Sequence, residues 1–170
     1  MDKQSLKIRP STRYHAELRD RLGNLLWEDD FHNIVTTAGK NKIIDACFKT
    51  GIASPAWYMG LVDAAGGQDF VVGDTMATHA GWTEYEDYTE IVRQDFVPGT
   101  VAAGAVDNSV SKAVFTFSQD DEISGCFLAD DDTKGGTDGV LYGVGAFTGG
   151  NRPVQEGNTL RVTTTVSAEE

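Results

Sequence analysis

Cysteine is scarce. The 170 residues hold 2, Cys47 and Cys126, far apart and without metal or redox spacing. Both stand among apolar neighbours, which reads as two buried free thiols and excludes a disulfide scaffold. Long apolar runs are also missing. None reaches the roughly 18 residues that a membrane span needs, and the charged N-terminus has no signal-like core, so no membrane partner is expected. The chain is expected to be made in a reducing cytoplasm. With only 3 His, few metal ligands are on offer. His15, His32 and His79 have no carboxylate or thiol at ligand spacing, so neither a metal nor a cofactor is expected. A nucleophile elbow, an H-E-x-x-H pair and a P-loop are all lacking.

Basic residues are few, 14 against 26 acidic, for a net charge of -12. Such a polyanion repels phosphate backbones, so nucleic acid is not an expected partner. The deficit is uneven. Lys3, Lys7, Arg9, Arg13, Arg19 and Arg21 outnumber Asp2, Glu17 and Asp20 at the start. Residues 1–24 therefore read as an extended basic arm, with one helical turn near Tyr14 to Leu22, on an acidic body of residues 25–170. Lys7, Arg9, Arg13, Arg19 and Arg21 are its candidate docking residues.

What the chain has in plenty is Val, Thr and Gly. Fifteen Val and 17 Thr against 9 Leu favour strands, and 19 Gly favour tight turns. One helix is predicted, from Ala38 to Lys49, capped by Thr36 or Thr37, with Ile43, Ile44 and Cys47 on one face and Gly51 as its stop. Leu25, Leu26 and Trp27 open the packed region, and strands are expected at 32–37, 56–62, 89–96, 111–118, 123–129, 140–147 and 160–166. In Ser111–Ser118, Ala113, Phe115 and Phe117 share a side. Gly143 and Gly145 leave room for a close neighbour. The pattern predicts an all-β antiparallel sandwich, jelly-roll-like, with one short helix and the arm.

Two groups of side chains invite chemistry. Asp130, Asp131 and Asp132 begin a calcium-like loop, but position 5 is Lys134 and position 12 is Leu141, so a solvated turn fits better. Glu84, Glu86, Asp87 and Glu90 could supply an acid–base pair, yet four clustered acids in a polar loop read as a solvated face. Trp82, Tyr85 and Tyr88 beside them suit a subunit interface, a sugar-stacking platform or the plug of the core.

The order of segments carries a resemblance. HNIVTTAGKNKIIDACF (32–48), AWYMGLVD (56–63), GDTMATHAGWTEY (73–85), SKAVFTF (111–117), KGGTDGVLYGVGAF (134–147) and GNTLRVTTTVS (157–167) together resemble small virion structural proteins of tailed phages, of the capsid decoration (cement) type. The resemblance implies a non-enzymatic subunit on the capsid exterior, produced in the bacterial host cytoplasm. Its implied partners are the major capsid protein and itself, as a homo-trimer or homo-dimer. A tail, collar or baseplate subunit and a glycan-binding module for host attachment are the competing expectations.

Overall fold

A computed structural model describes residues 9–169. Two antiparallel sheets pack face to face with one helix at their side, so the chain is an all-β sandwich. In chain order the strands are β1 (Arg9–Arg19), β2 (Leu25–His32) and β3 (Ile34–Val35). Helix α1 (Thr37–Phe48) follows, then β4 (Tyr58–Asp63), β5 (Glu84–Tyr85), β6 (Gln94–Asp95) and β7 (Ala105–Asp107). The remainder are β8 (Ala113–Thr116), β9 (Asp121–Ala129), β10 (Leu141–Ala146), β11 (Arg152–Val154) and β12 (Thr159–Glu169). One sheet runs β2-β1-β12-β7, with β8 also on β12. The other runs β3-β10-β9-β4-β5, with β11 on β9 and β6 on β4.

The basic arm expected at residues 1–24 is folded into the body where it is described. Residues 9–19 are not an appendage but a strand within the five-stranded sheet, paired with β12 from Arg9↔Glu169 to Arg19↔Thr159. Period-two alternation explains it. Thr12, Tyr14, Ala16 and Leu18 are buried against the opposite sheet, while the charged residues between them face outward. The helical turn expected near Tyr14 is likewise absent, because that stretch is β1. Lys7 lies outside the described residues.

β12 keeps the predicted alternation, burying Leu160, Val162 and Thr164. Its far edge is shared by two short strands. β8 pairs with Thr159–Val162 and β7 with Thr165–Ser167. The gap is closed by buried Asn108. Its Oδ1 accepts from Thr164 N at 2.7 Å, and its backbone N donates to Thr164 O at 3.3 Å. A side-chain amide thus stands in for a strand's peptide group, so the backbone N–H and C=O of Thr164 stay partnered.

α1 forms where the cap residue says it should. Thr36 is extended, and its hydroxyl accepts from Gly39 N at 2.9 Å. Gly39 lies against the backbone of Tyr142, where any side chain would collide, so the helix sits directly on β10. Only part of its apolar face is covered. Ile43 packs on the core, but Ile44 and Phe48 are exposed. Cys47 is exposed as well, which corrects the expectation of two buried thiols; Cys126 alone is enclosed. Gly143 and Gly145 do admit a close neighbour: the backbone of His32 to Ile34 passes where their side chains would be.

Candidate interface at the β1–β2 hairpin

Of the basic residues proposed for docking, Arg13 and Arg19 on the outer face of the five-stranded sheet and Arg21 in the hairpin turn each stand beside an acid of the same chain. Arg13 meets Asp30 at 3.1 Å, and Arg19 meets Glu17 at 2.8 Å. Arg21 donates to the Glu156 carbonyl at 3.0 and 2.8 Å and lies 3.6 Å from its carboxylate. Arg9 opens β1 and is exposed. The pairing leaves this face near neutral, so the arginines are not the free cations that the arm reading required. Exposed pairs of this kind contribute about 0–1 kcal/mol each.

Glu17 is the most heavily engaged of these acids. Lys112 and Arg19 both donate to it, and these bonds hold its carboxyl down from 4.5 to about 2. A carboxylate whose folded pKa is depressed stabilises the fold above its unfolded pKa, and that contribution disappears as pH falls through the folded value. The native protein is therefore expected to be more stable than Glu17→Gln near neutral pH. Chemical-denaturation curves across pH should show the gap closing between 4.5 and about 2. A gap independent of pH would show that the ion pairs contribute nothing.

The hairpin tip is tightly built. The Asp20 carboxylate accepts from Leu22 N at 2.8 Å, Asn24 N at 2.9 Å and Asn24 Nδ2 at 2.8 Å. These bonds, led by the Asn24 side chain, lower its pKa. Gly23 takes the left-handed conformation (φ 85°) that the turn requires, and Arg19 donates to its carbonyl at 3.0 Å. The register slips between Leu18↔Trp27 and Arg19↔Leu25, so Leu26 is an extra, unpaired residue forming a β-bulge. The result turns apolar side chains outward. Leu22 is 87% exposed, Leu25 46% and Leu26 50%. Leu25 and Leu26 had been expected to begin the packed region; of that trio only Trp27 packs on the core. Among the described residues β2 pairs with β1 alone, so its outer edge is open. Glu28 and Asp30 are exposed on it, a charge pattern that discourages indiscriminate strand addition.

The aromatic candidates belong to the interior. Trp82 is buried; its indole N–H donates to Asp74 at 3.1 Å, and its ring stacks on His79 at 4.0 Å. Tyr85 packs near Phe117 and Tyr88 edge-on against Phe115, both buried. Of the readings left open for this trio, the core plug is the one found, and neither an interface nor a sugar platform can use side chains without exposed surface.

The acidic loop is closed by cations of the protein itself. Arg93, fully buried, donates to both Glu84 oxygens at 3.0 and 2.6 Å, and to the carbonyls of Asp131 (2.9 Å) and Gly136 (2.8 Å). Burial raises the Glu84 carboxyl, against the pull of Arg93. Lys134 donates to the carbonyls of Tyr88 and Glu90, and Glu90 in turn accepts from Thr116 N at 3.0 Å. Lys42 reaches Asp130 at 2.9 Å. Among the described residues, no group of three or more His, Cys, Asp and Glu is arranged to hold a metal ion, and no helix is long and apolar enough to cross a membrane.

Comparison with models of protein families gives no match for this chain, and comparison with curated proteins gives none.

Proposed function

We propose that this chain is a non-enzymatic structural subunit of a tailed-phage virion, a capsid decoration protein held on the outer shell. The observation that carries the reading is the hairpin tip: three exposed leucines on a hydrogen-bonded turn, beside an open sheet edge. Clustered exposed apolar side chains on an acidic protein suit contact with another protein. Their fixed geometry reduces the ordering cost of binding. The order of segments described above points the same way, to the major capsid protein as partner, with self-association as trimers or dimers. Weak single contacts become strong when repeated over a symmetric lattice.

The glycan-binding alternative loses support, since it needs Trp82 or Tyr85 at the surface and both are 1% exposed. To test the decoration role, purified heads are incubated with the native protein or with Leu22→Asp/Leu25→Asp/Leu26→Asp, and bound copies are counted by cryo-electron microscopy. The triple variant is expected to lose about tenfold or more in occupancy, since each large apolar side chain contributes about 1.5–3 kcal/mol when fully buried. Its melting should stay close to native, because the three side chains are exposed in the free protein. Full occupancy by the variant would reject the hairpin. Density on a tail, collar or baseplate would replace the decoration role with one of those.

A further inference from the structure

A groove of about 850 Å³ opens between α1 and the end of the five-stranded sheet. Ile43, Ile44 and Phe48 form one wall, and Val101, Val106 and Val166 the other. It continues past Val101 and Val106 into a second hollow of about 660 Å³, walled by Trp57 and Phe96. Phe48 is 84% exposed and Val101 70%, so among the described residues this apolar surface faces solvent. A contiguous apolar surface of this kind marks a contact with another molecule.

A concave apolar surface is filled by a convex one, because interfaces pack as densely as interiors. The described surface of this chain offers such a knob in Leu22, Leu25 and Leu26 on the hydrogen-bonded hairpin tip. Two grooves set face to face would leave the hollow unfilled. Charge matches in the same sense. Among the described residues the only charged side chain lining the larger groove is Lys40, and α1 carries Lys40 and Lys42 against Asp45. The hollow beside Leu22 is lined by Asp20, Asp120 and Glu156 against Arg21. A weakly basic hole and an acidic knob attract each other, in a protein whose net charge of -12 otherwise repels its own copies.

Knob and hole stand at opposite ends of β1. Its Arg9 end borders the groove through Pro10, its Arg19 end leads into the tip, and 11 extended residues hold the two roughly 34 Å apart. A tip therefore cannot reach the groove of its own chain. We propose that the hairpin tip of one copy docks in the groove of the next, joining copies head to tail. Such a contact is heterologous, so it closes a ring or runs on as a filament. It deepens the reading of the tip as a docking surface, on which it rests, by naming a second copy as the tip's partner. Three leucines cover less than the about 800 Å² per partner of a stable interface, so the pairing is weak in solution, with a Kd of about 0.1 mM. It strengthens where a shell holds copies side by side.

The test uses the isolated full chain without heads, so a failure here leaves the decoration role standing. Sedimentation velocity is run from micromolar to millimolar protein on three chains. These are the native protein, the tip variant Leu22→Asp/Leu25→Asp/Leu26→Asp and the groove variant Phe48→Asp/Val101→Asp. All five side chains are exposed, so both variants should keep the native melt. The native chain is expected to assemble as its concentration rises, and each variant alone to stay monomeric. An equal mixture of the two variants should recover dimers and nothing larger, since each pair keeps one intact knob and one intact hole. A native chain still monomeric at about 1 mM, tenfold above the expected Kd, overturns the proposal. So does either variant assembling alone, or a mixture that stays monomeric. Cys47, exposed in the same groove, gives a reading that needs no substitution. Its reaction with a thiol reagent should slow about threefold from dilute to millimolar native protein, as mass action fills the groove with tips. Cys126 is fully buried and serves as the internal control. A Cys47 rate independent of protein concentration would also overturn the proposal.

Discussion

Deleting residues 1–24 is expected to abolish the cooperative fold, the opposite of what a detachable arm would do. The deletion removes β1 from between β2 and β12 and leaves the long edge of β12 without its eleven partner positions. It also strips the only strand that β2 pairs with among the described residues. Tyr14 and Leu18 leave the core with it, both at 1% exposure or less. Truncating one such side chain costs about 2–5 kcal/mol, and a domain's whole stability is about 5–15 kcal/mol. Losing both, with a complete ladder, exceeds that margin. Circular dichroism and a thermal scan check it: the truncated chain should show no cooperative transition. Deleting only residues 1–8 should leave one, because the described β1–β12 ladder, from Arg9 to Arg19, is kept whole. A native-like melt from the 25–170 fragment would mean that β1 is dispensable.

The reason β1 reads as an arm is physical. Its outward residues, Arg9, Arg13, His15, Glu17 and Arg19, are charged or polar and dominate the local composition, while the inward set of Thr12, Tyr14, Ala16 and Leu18 is only moderately apolar. Composition averages the two faces; alternation separates them. The same alternation is clear in 111–118 and 160–166, where the inward residues are Phe, Leu and Val, and there the expected strands are present as β8 and β12. The helix was legible from one residue, Thr36, whose cap bond needs no tertiary partner. The strand expected at 89–96 shrinks to Gln94–Asp95, because Arg93 turns into the interior and its backbone N–H donates to Asp132 at 2.9 Å. The hairpin tip was missed with the arm: Gly23-Asn24 is a pair that suits a turn, but the bulge that exposes Leu26 depends on pairing across β1 and β2.

Replacing Arg93 with Ala is expected to lower the unfolding free energy by about 3–5 kcal/mol, the usual cost of leaving a buried charge without its partner. No other variant of a single residue considered above should cost as much. The guanidinium is fully enclosed and sits 5.2 Å over the Phe127 ring. It joins β5, through Glu84, to the loop after β9, through the carbonyls of Asp131 and Gly136. Without it, Glu84 at 6% exposure keeps only the Gly135 backbone N–H, at 3.1 Å, and the half-buried carbonyls of Asp131 and Gly136 lose the Arg93 donor. For a domain of this size the melting temperature should fall by about 2–4 °C per kcal/mol, hence by roughly 10 °C. Arg93→Lys should recover little, because an ammonium cannot span both carboxylate oxygens and both carbonyls from one position. Adding Glu84→Leu to Arg93→Met should restore part of the loss, since an apolar pair leaves no charge buried and the two sites are directly coupled. Urea melts of the four variants separate these cases. If Arg93→Ala costs less than about 1 kcal/mol, the pair is no stronger than an exposed one and the acidic loop is held by other contacts.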